Sequence, residues 1–249
     1  MSFKEILQGG WNSLKDLFYP SCCTLCGEVL QPEERYVCQE CLRELPRTET
    51  GDHRGNRVEA LFEDIEKVVR GATFCYFSHD SDFRRLIHAV KYRGKAGLGE
   101  YLGEQAGREM LDSRFFEGID LIVPVPLHKK RERRRGYNQA EYICIGLGRA
   151  TGIAVDTQHL RRKRATPSQT TLSSDEREQN MEDAFEVVNG KDWQGKHILL
   201  VDDIITTGAT MRACIHKMTP IRGCHISVFA LGLAGNSREE RGIRGEGVK

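Results

Sequence analysis

Apolar positions follow two rhythms along this chain. Short continuous runs, "GATFCYFS", "IDLIVPVP", "FEVV", "HILLVDD" and "HISVFALGL", carry the unbroken hydrophobicity of strands covered on both faces. Between them apolar residues recur three and four apart. In "SDFRRLIHAVKYRG" the side chains of Phe83, Leu86, Ile87 and Val90 share one helical face, with Ser81 placed to cap the helix and Gly94 to stop it. A second helical stretch runs from about Ala96 to Leu111, a third is marked by Tyr137, Ala140, Cys144 and Leu147, and a fourth spans about Thr207 to Met218. Pro124 and Pro126 close the strand run ahead of the third helix. Strand and helix alternate, which predicts an α/β fold: a mostly parallel, doubly wound sheet with helices on both faces.

The N-terminal region breaks the alternation. "MSFKEILQGGWNSLKDLFYP" sets Phe3, Ile6, Leu7, Trp11, Leu14, Leu17 and Phe18 at helical spacing around Gly9 and Gly10. Such an amphipathic lead-in is expected to pack against its own protein, with a membrane surface or a docking partner as the alternative. A compact cysteine module follows, ending near Pro46, and the charged, glycine-containing stretch Arg47 to Glu59 reads as a linker. Residues 1–50 are thus expected to form one region, residues 60–235 the α/β domain, and residues 236–249, glycine-rich and charged, a flexible tail.

Composition removes several functions without selecting one. With 249 residues and 39% hydrophobic content, the chain can bury a full core and carry a small appendage. Thirty-seven Lys and Arg balance 36 Asp and Glu, so net charge is silent about a nucleic-acid partner. No apolar stretch approaches the roughly 18 residues of a membrane span, and the N-terminus lacks the continuous apolar segment of a signal peptide. A soluble, cytoplasmic protein with reduced thiols is expected. The histidines form no H-E-x-x-H cluster, which argues against a catalytic metal held by histidine.

Four of the nine cysteines stand as two C-x-x-C pairs, Cys23 with Cys26 and Cys38 with Cys41, separated by eleven residues. Two such turns complete a tetrahedral Zn2+ site with no open position, hence a structural one. A module of about 25 residues with few apolar groups needs such a clamp to fold. A redox dithiol is the competing reading, and Cys22 could replace Cys23 as a ligand. The remaining Cys75, Cys144, Cys214 and Cys224 sit in strand or helix patterns, as small buried apolar residues do.

The segment "VDDIITTGAT" holds the clearest chemistry. In an open α/β sheet ligands bind beyond the carboxyl ends of strands, which is where Asp202 and Asp203 fall if Ile198 to Val201 is the strand. Thr206, Thr207, Gly208, Ala209 and Thr210 then turn into a helix and offer backbone N–H groups to an anion. Carboxylates beside a phosphate cradle cannot bind phosphate, but they accept hydrogen bonds from sugar hydroxyls or hold a metal. A phosphorylated ribose satisfies both halves. Gly208 would allow close backbone approach, and Thr207 and Thr210 would add hydroxyl donors. The plain alternative is a strand end whose acids are merely solvated. No G-x-x-x-x-G-K-[ST] or G-x-G-x-x-G motif competes.

The run "HILLVDDIITTGAT" resembles the phosphoribosyl-pyrophosphate (PRPP) motif of type I phosphoribosyltransferases. Other segments are similar to the ComF/GntX-like, competence-associated branch of that superfamily: "CTLCG" and "CQEC" to its zinc module, "LIHAVKYRG" to its central helix, "VPVPLHKKRERRRGYNQAE" to its pyrophosphate loop, and "RRKRATPSQTTLSSDEREQNMEDAF" to its long loop before the ribose strand. The resemblance spans about Pro20 to Leu233. It implies a type I phosphoribosyltransferase-like fold with a small N-terminal zinc module, PRPP as ligand, Mg2+ carried with it, and phosphoribosyl transfer to an unidentified nucleophile with release of pyrophosphate. It also implies an association with DNA uptake, with single-stranded DNA and a DNA-uptake helicase as partners. Glutamine-dependent amidotransferases share the flavour of Arg164, Thr166 and Gln169, yet this chain begins Met1-Ser2 without their glutaminase domain.

Cleaving PRPP requires stabilising a departing, multiply charged anion, which Arg, Lys and Mg2+ can do. "KKRERRR", Lys129 to Arg135, sets six bases against one acid directly after a strand end. His128, Lys129, Arg135 and the turn at Gly136 are the candidates from this loop, with Arg162 and Arg164 reaching over from the next, whose closure would exclude water. Lys129, Arg135 and Arg164 are the expected catalytic residues, and His128 is expected to contact PRPP. The same charges could instead hold single-stranded DNA, helped by stacking on Tyr92 or Tyr137, in a non-enzymatic protein that uses the fold to sense PRPP.

Overall fold

The computed structural model describes residues 20–78, 81–92, 95–163 and 184–235. The amphipathic lead-in, the stop at Gly94, the loop carrying Arg164, Thr166 and Gln169, and the C-terminal tail fall outside these residues. The chain divides into two compact units, Met1–Leu45 and Pro46–Lys249.

In the first unit, isolated antiparallel bridges join Cys22 to Val29 and Arg35 to Val37, and a short helix α1 covers Gln39–Arg43. Gly27 takes a left-handed conformation (φ 83°) one residue after Cys26, closing the first cysteine turn. Little apolar surface is buried here beyond Leu25, Val37 and Leu45.

The second unit is built on a five-stranded, wholly parallel sheet: β1 (Val68–Phe77), β2 (Leu121–Pro124), β3 (Ala154–Val155), β6 (His197–Ile205) and β7 (His225–Ala234), in the spatial order β1-β7-β6-β2-β3. Helices α2 (Arg57–Ala60), α3 (Asp82–Tyr92), α4 (Ala96–Glu109), α5 (Lys129–Arg135), α6 (Gln139–Thr151) and α7 (Ala209–Met218) complete it. The expected sheet is present. "FEVV" does not join it: β5 (Phe185–Val187) pairs antiparallel with β4 (Leu160–Arg162) in a separate ribbon. A short apolar run does not reveal which partner it will find, and here the local hairpin pairing wins.

Strand β7 is buried along nearly its whole length, and on one side of β6 Ile198 and Leu200 pack with Met211, Cys214, Ile215 and Met218 of α7. Helices α4 and α6 approach very closely. A Cβ on Gly103 would stand 2.3 Å from the Ile143 carbonyl oxygen, and one on Gly146 would stand 2.0 Å from that of Glu100. The glycines of "GLGEYLGEQAG", costly for an isolated helix, are therefore required by the helix pair. Ser81 caps α3, its Oγ accepting from the Arg84 N–H at 3.3 Å.

The stretch from Arg47 to Glu59, expected to be a linker, is packed. Thr48 and Thr50 are buried, the Thr48 hydroxyl donates to the Thr73 carbonyl, and the Thr73 N–H donates to Thr50 Oγ1 at 2.8 Å. Asn56 caps α2 and ties it to β1 by donating to the Gly71 carbonyl at 2.9 Å. Polar composition suggested an exposed segment, but these hydroxyl and amide groups satisfy backbone atoms of β1.

Candidate functional site

Strand β6 runs through Asp202 and Asp203 to Ile205, so the acids lie inside the strand rather than past its end as expected. Its pairing with β2 ends at Pro124 opposite Val201, while pairing with β7 continues to Ile205 opposite Leu233. From Asp202 onward one edge of β6 is open. As neighbours in a strand the two side chains leave on opposite faces, so only a group lying along that edge can meet both.

Their environments differ. Asp203 is paired with Lys91 of α3, Nζ to Oδ2 2.9 Å, with only 21% and 14% of the two side chains exposed. Asp202 Oδ1 accepts from the Asp203 N–H at 2.8 Å. Asp202 keeps some exposed surface at the strand end, but its carboxyl group is enclosed. Burial, and then the Asp203 charge, push its pKa up to about 8, against smaller pulls from that N–H and from Lys91. One acid thus has a resident cation, and the other is biased toward its protonated form.

The turn after β6 leads into α7. Thr206, Thr207 and Ala209 are exposed, Thr210 is half-buried, and Gly208 is the N-cap at φ 77°, with no side-chain cap on the helix. Thr207 Oγ1 accepts from the Ala209 N–H at a long 3.4 Å. The first turn of α7 therefore presents its amides beside the open edge. Gly208 has a second reason to be glycine besides ligand approach: a Cβ there would lie 3.0 Å from Cζ of buried Phe62. Arg212 holds that neighbourhood in place, donating to Asp64 at 2.6 Å and to the Leu61 carbonyl at 2.6 Å.

The basic segment is a helix, not a loop. His128 is its N-cap, with Nδ1 accepting from the Lys130 N–H at 3.1 Å, and Gly136 at φ 86° ends it. A side chain expected to contact a ligand is thus engaged by the backbone through one nitrogen. Lys129, Lys130, Arg131, Arg133 and Arg134 are exposed. Arg135 instead turns inward, Nη1 donating to Oε1 of Gln139 at 2.7 Å, and Gln139 is 2% exposed. Arg162 lies over the Phe185 ring, 5.0 Å from its centroid, and burial followed by the charge of Arg131 lowers its pKa.

Tyr137, expected as a stacking platform, is half-buried and engaged within the protein. Its hydroxyl donates to the Val90 carbonyl and its ring meets Tyr142 edge-on at 5.3 Å. The Tyr92 side chain is outside the described part.

Sequence reasoning missed Lys91. Phe83, Ile87 and Lys91 are four residues apart, so the lysine continues the apolar stripe of α3, and an ammonium there was the available signal.

In the first unit the sulfurs of Cys23, Cys26, Cys38 and Cys41 all lie within 4.8 Å of one another, and Cys26 and Cys38 are 3.8 Å apart. A tetrahedron with Zn–S near ~2.3 Å has edges of about 3.8 Å. Leu25 and Cys38 donate backbone N–H groups to Cys23 Sγ, each at 3.4 Å. Burial opposes the Cys23 thiolate, but those amides and that of Cys26 outweigh it and bring the thiol down to about 6. Burial and the neighbouring sulfurs push Cys41 up. Four cysteine sulfurs gathered at these separations fit a divalent cation such as Zn2+. Cys22 lies outside the cluster, exposed, its thiol donating to the Pro20 carbonyl. Cys75, Cys144, Cys214 and Cys224 are buried, and burial raises each thiol pKa, Cys75 to about 12.

A cleft of about 470 Å³ opens away from this site, beside Arg54, Arg70, Arg114 and His197. Its charges are answered within the protein, Arg70 by Glu59 and Arg114 by Glu117. No helix among the described residues is long and apolar enough to cross a membrane.

Comparison with known proteins adds the lineage. The phosphoribosyl transferase domain family matches residues 134–242, from the end of α5 through β7. "DNA utilization protein YhgH" of Salmonella typhi is 36% identical over 129 residues, 51% of this chain and 56% of that protein, so the match spans about half the relative's length. "Competence protein F" of Haemophilus influenzae is 28% identical over 213 residues, 85% of this chain and 84% of the other. "Competence protein ComFC" of Bacillus subtilis is 27% identical over 203 residues, covering 74% and 77%. With its parallel sheet, its acid pair leading into the turn at α7 and its cysteine cluster, the chain is similar to ComF-like competence proteins and carries a match to the phosphoribosyl transferase domain.

Proposed function

We propose that the second unit binds PRPP with Mg2+ along the open edge of β6, and that the first holds one structural zinc through Cys23, Cys26, Cys38 and Cys41. The carrying observation is the juxtaposition of an enclosed acid pair, an uncapped helix N-terminus and an exposed basic helix at the carboxyl end of one parallel sheet. The backbone amides of Gly208 to Thr210 and the hydroxyls of Thr206, Thr207 and Thr210 would hold the 5′-phosphate. Asp202 and Asp203 would accept from the ribose hydroxyls, and Lys129 with its exposed neighbours on α5 would face the pyrophosphate. Mg2+ bound with the ligand would neutralise part of the charge on the leaving pyrophosphate. Arg135, held by Gln139, would support the basic helix from beneath. Arg164 is retained as a candidate on the loop before β5.

Transfer of the phosphoribosyl group to a nucleophile is the reaction this constellation suits. The names of the relatives point to DNA utilization and competence, and the family resemblance is our ground for single-stranded DNA and a DNA-uptake helicase as macromolecular partners. Titration calorimetry of PRPP with Mg2+ tests the site. The parent should bind, and Asp202→Asn with Asp203→Asn should weaken binding at least tenfold, about 1.4 kcal/mol. Unchanged affinity would refute the assignment.

The exposed bases of α5 favour a second reading, in which they hold single-stranded DNA without catalysis. Oligonucleotide binding that falls steeply with salt and survives loss of both acids would support it. Binding indifferent to salt would not.

A further inference from the structure

The end of α3 is tied to both halves of the site. Lys91 holds Asp203 at 2.9 Å, and one residue earlier the Val90 carbonyl accepts from the hydroxyl of Tyr137, the residue that follows the Gly136 cap of the basic helix. The ammonium lies beside the acid pair, four-fifths buried, on the helix whose end is tied to the residue following the basic helix. A buried carboxylate paired with one cation among the described residues is strongly dependent on it, and the partner is equally dependent on the carboxylate. Any ligand whose hydroxyl donates to Asp203 loosens that pair, and a ligand that also brings an anion toward α5 offers the ammonium a new counter-charge.

We propose that Lys91 is a ligand-contacting cation of this site: it neutralises Asp203 when the site is empty and passes its charge to the anionic group on the anomeric carbon when sugar hydroxyls engage Asp203. The proposal rests on the PRPP reading above and adds to it a residue with a defined preference for the pyrophosphate end of the ligand. Lys91 sits on the buried stripe of α3, where an ammonium without a charge to meet would destabilise the helix packing. Its ion pair with Asp203 meets that need in the empty state, and the ligand's pyrophosphate meets it in the bound state.

Two probes separate this role from a structural one: PRPP with Mg2+, and ribose 5-phosphate, which keeps the hydroxyls and the 5′-phosphate but lacks the pyrophosphate. Lys91→Met should weaken PRPP at least tenfold in calorimetry and ribose 5-phosphate less than threefold, and Lys91→Arg should recover most of the PRPP affinity. Equal loss for both ligands would mean that Lys91 only positions Asp203, and no loss for either would remove it from the site; each result overturns the proposal. Because Lys91→Met leaves Asp203 without its cation, the same pair of titrations is run on Asp203→Asn with and without Lys91→Met, where the unpaired carboxylate is gone. The selective loss of PRPP should persist there, and its absence refutes the proposal. A parent protein that binds neither probe refutes the PRPP reading itself, and this inference falls with it.

Discussion

The pH dependence of stability offers a direct test of the enclosed acid. Asp202 carries a pKa of about 8 in the folded protein against the ordinary aspartate value of 3.8. Between those values the native chain keeps a proton that the unfolded chain has released, so raising the pH favours unfolding. At ~1.36 kcal/mol per unit, the parent should lose roughly 2–3 kcal/mol between pH 6 and pH 8 from this group alone. Asp202→Asn removes the titration yet keeps an oxygen able to accept from the Asp203 N–H, which Asp202 Oδ1 does at 2.8 Å. The advantage of the variant over the parent should grow by about 2 kcal/mol between pH 6 and pH 8, corresponding to roughly 4–8 °C in Tm for a unit of this size. Urea unfolding at the two pH values, followed through the emission of buried Trp193, measures the difference. Parallel pH profiles for parent and variant would show that Asp202 is ionised in the folded state and would refute the burial argument. The same proton gives a binding signature: a ligand that requires the carboxylate should release close to one proton at pH 7 and bind more tightly as the pH rises toward 8.

Three further outcomes follow from separate parts of the molecule. Cys38→Ser should abolish stoichiometric zinc and unfold the first unit, read by metal analysis and by protease sensitivity confined to residues 20–45; one retained zinc per chain would contradict the tetrathiolate assignment. Gly146→Ala should cost about 2–3 kcal/mol, because the added Cβ meets backbone 2.0 Å away, whereas Gly152→Ala, left-handed at φ 76° with nothing within 4 Å, should cost only about 1 kcal/mol; equal losses in Tm would show that conformational strain rather than packing governs both. His159 is held by Asp156 at 2.6 Å and by Asp192 at 3.1 Å, and the Asp156 hydrogen bond, followed by that of Asp192, raises its pKa against the opposing effect of burial. Its contribution is therefore complete below the unfolded value near 6.5 and is lost as pH rises through the raised folded value, so His159→Ala should destabilise by about 1 kcal/mol at pH 6 and by less at pH 9.

Much of the candidate site was legible before folding was considered. "VDDIITTGAT" announces a strand, acids near its carboxyl end and a glycine turn into a helix because each of those features restricts residue type locally, and the two C-x-x-C pairs announce their cluster for the same reason. Residues whose roles depend on distant partners were not legible. Arg135 reads as one more base in a basic run until Gln139 draws it inward, and the sequence does not show that His128 Nδ1 caps α5. The supposed linker shows the same limit, since nothing in "RTETGDHRGN" reveals that Thr73 will take up its threonine hydroxyls.

What the sequence alone determined is the set of local commitments: which stretches are helix or strand, where the chain must turn through glycine, and where charges and thiols are concentrated. These follow from periodicity and backbone sterics, which act over a few residues. Tertiary structure decided which of those groups meet. The early end of β2 opens the edge of β6, the placement of α3 brings Lys91 to Asp203, and the near contact of α4 with α6 fixes the glycines between them. Such pairings join residues far apart in sequence, and their energies arise from desolvation and close packing that exist only once the sheet has assembled.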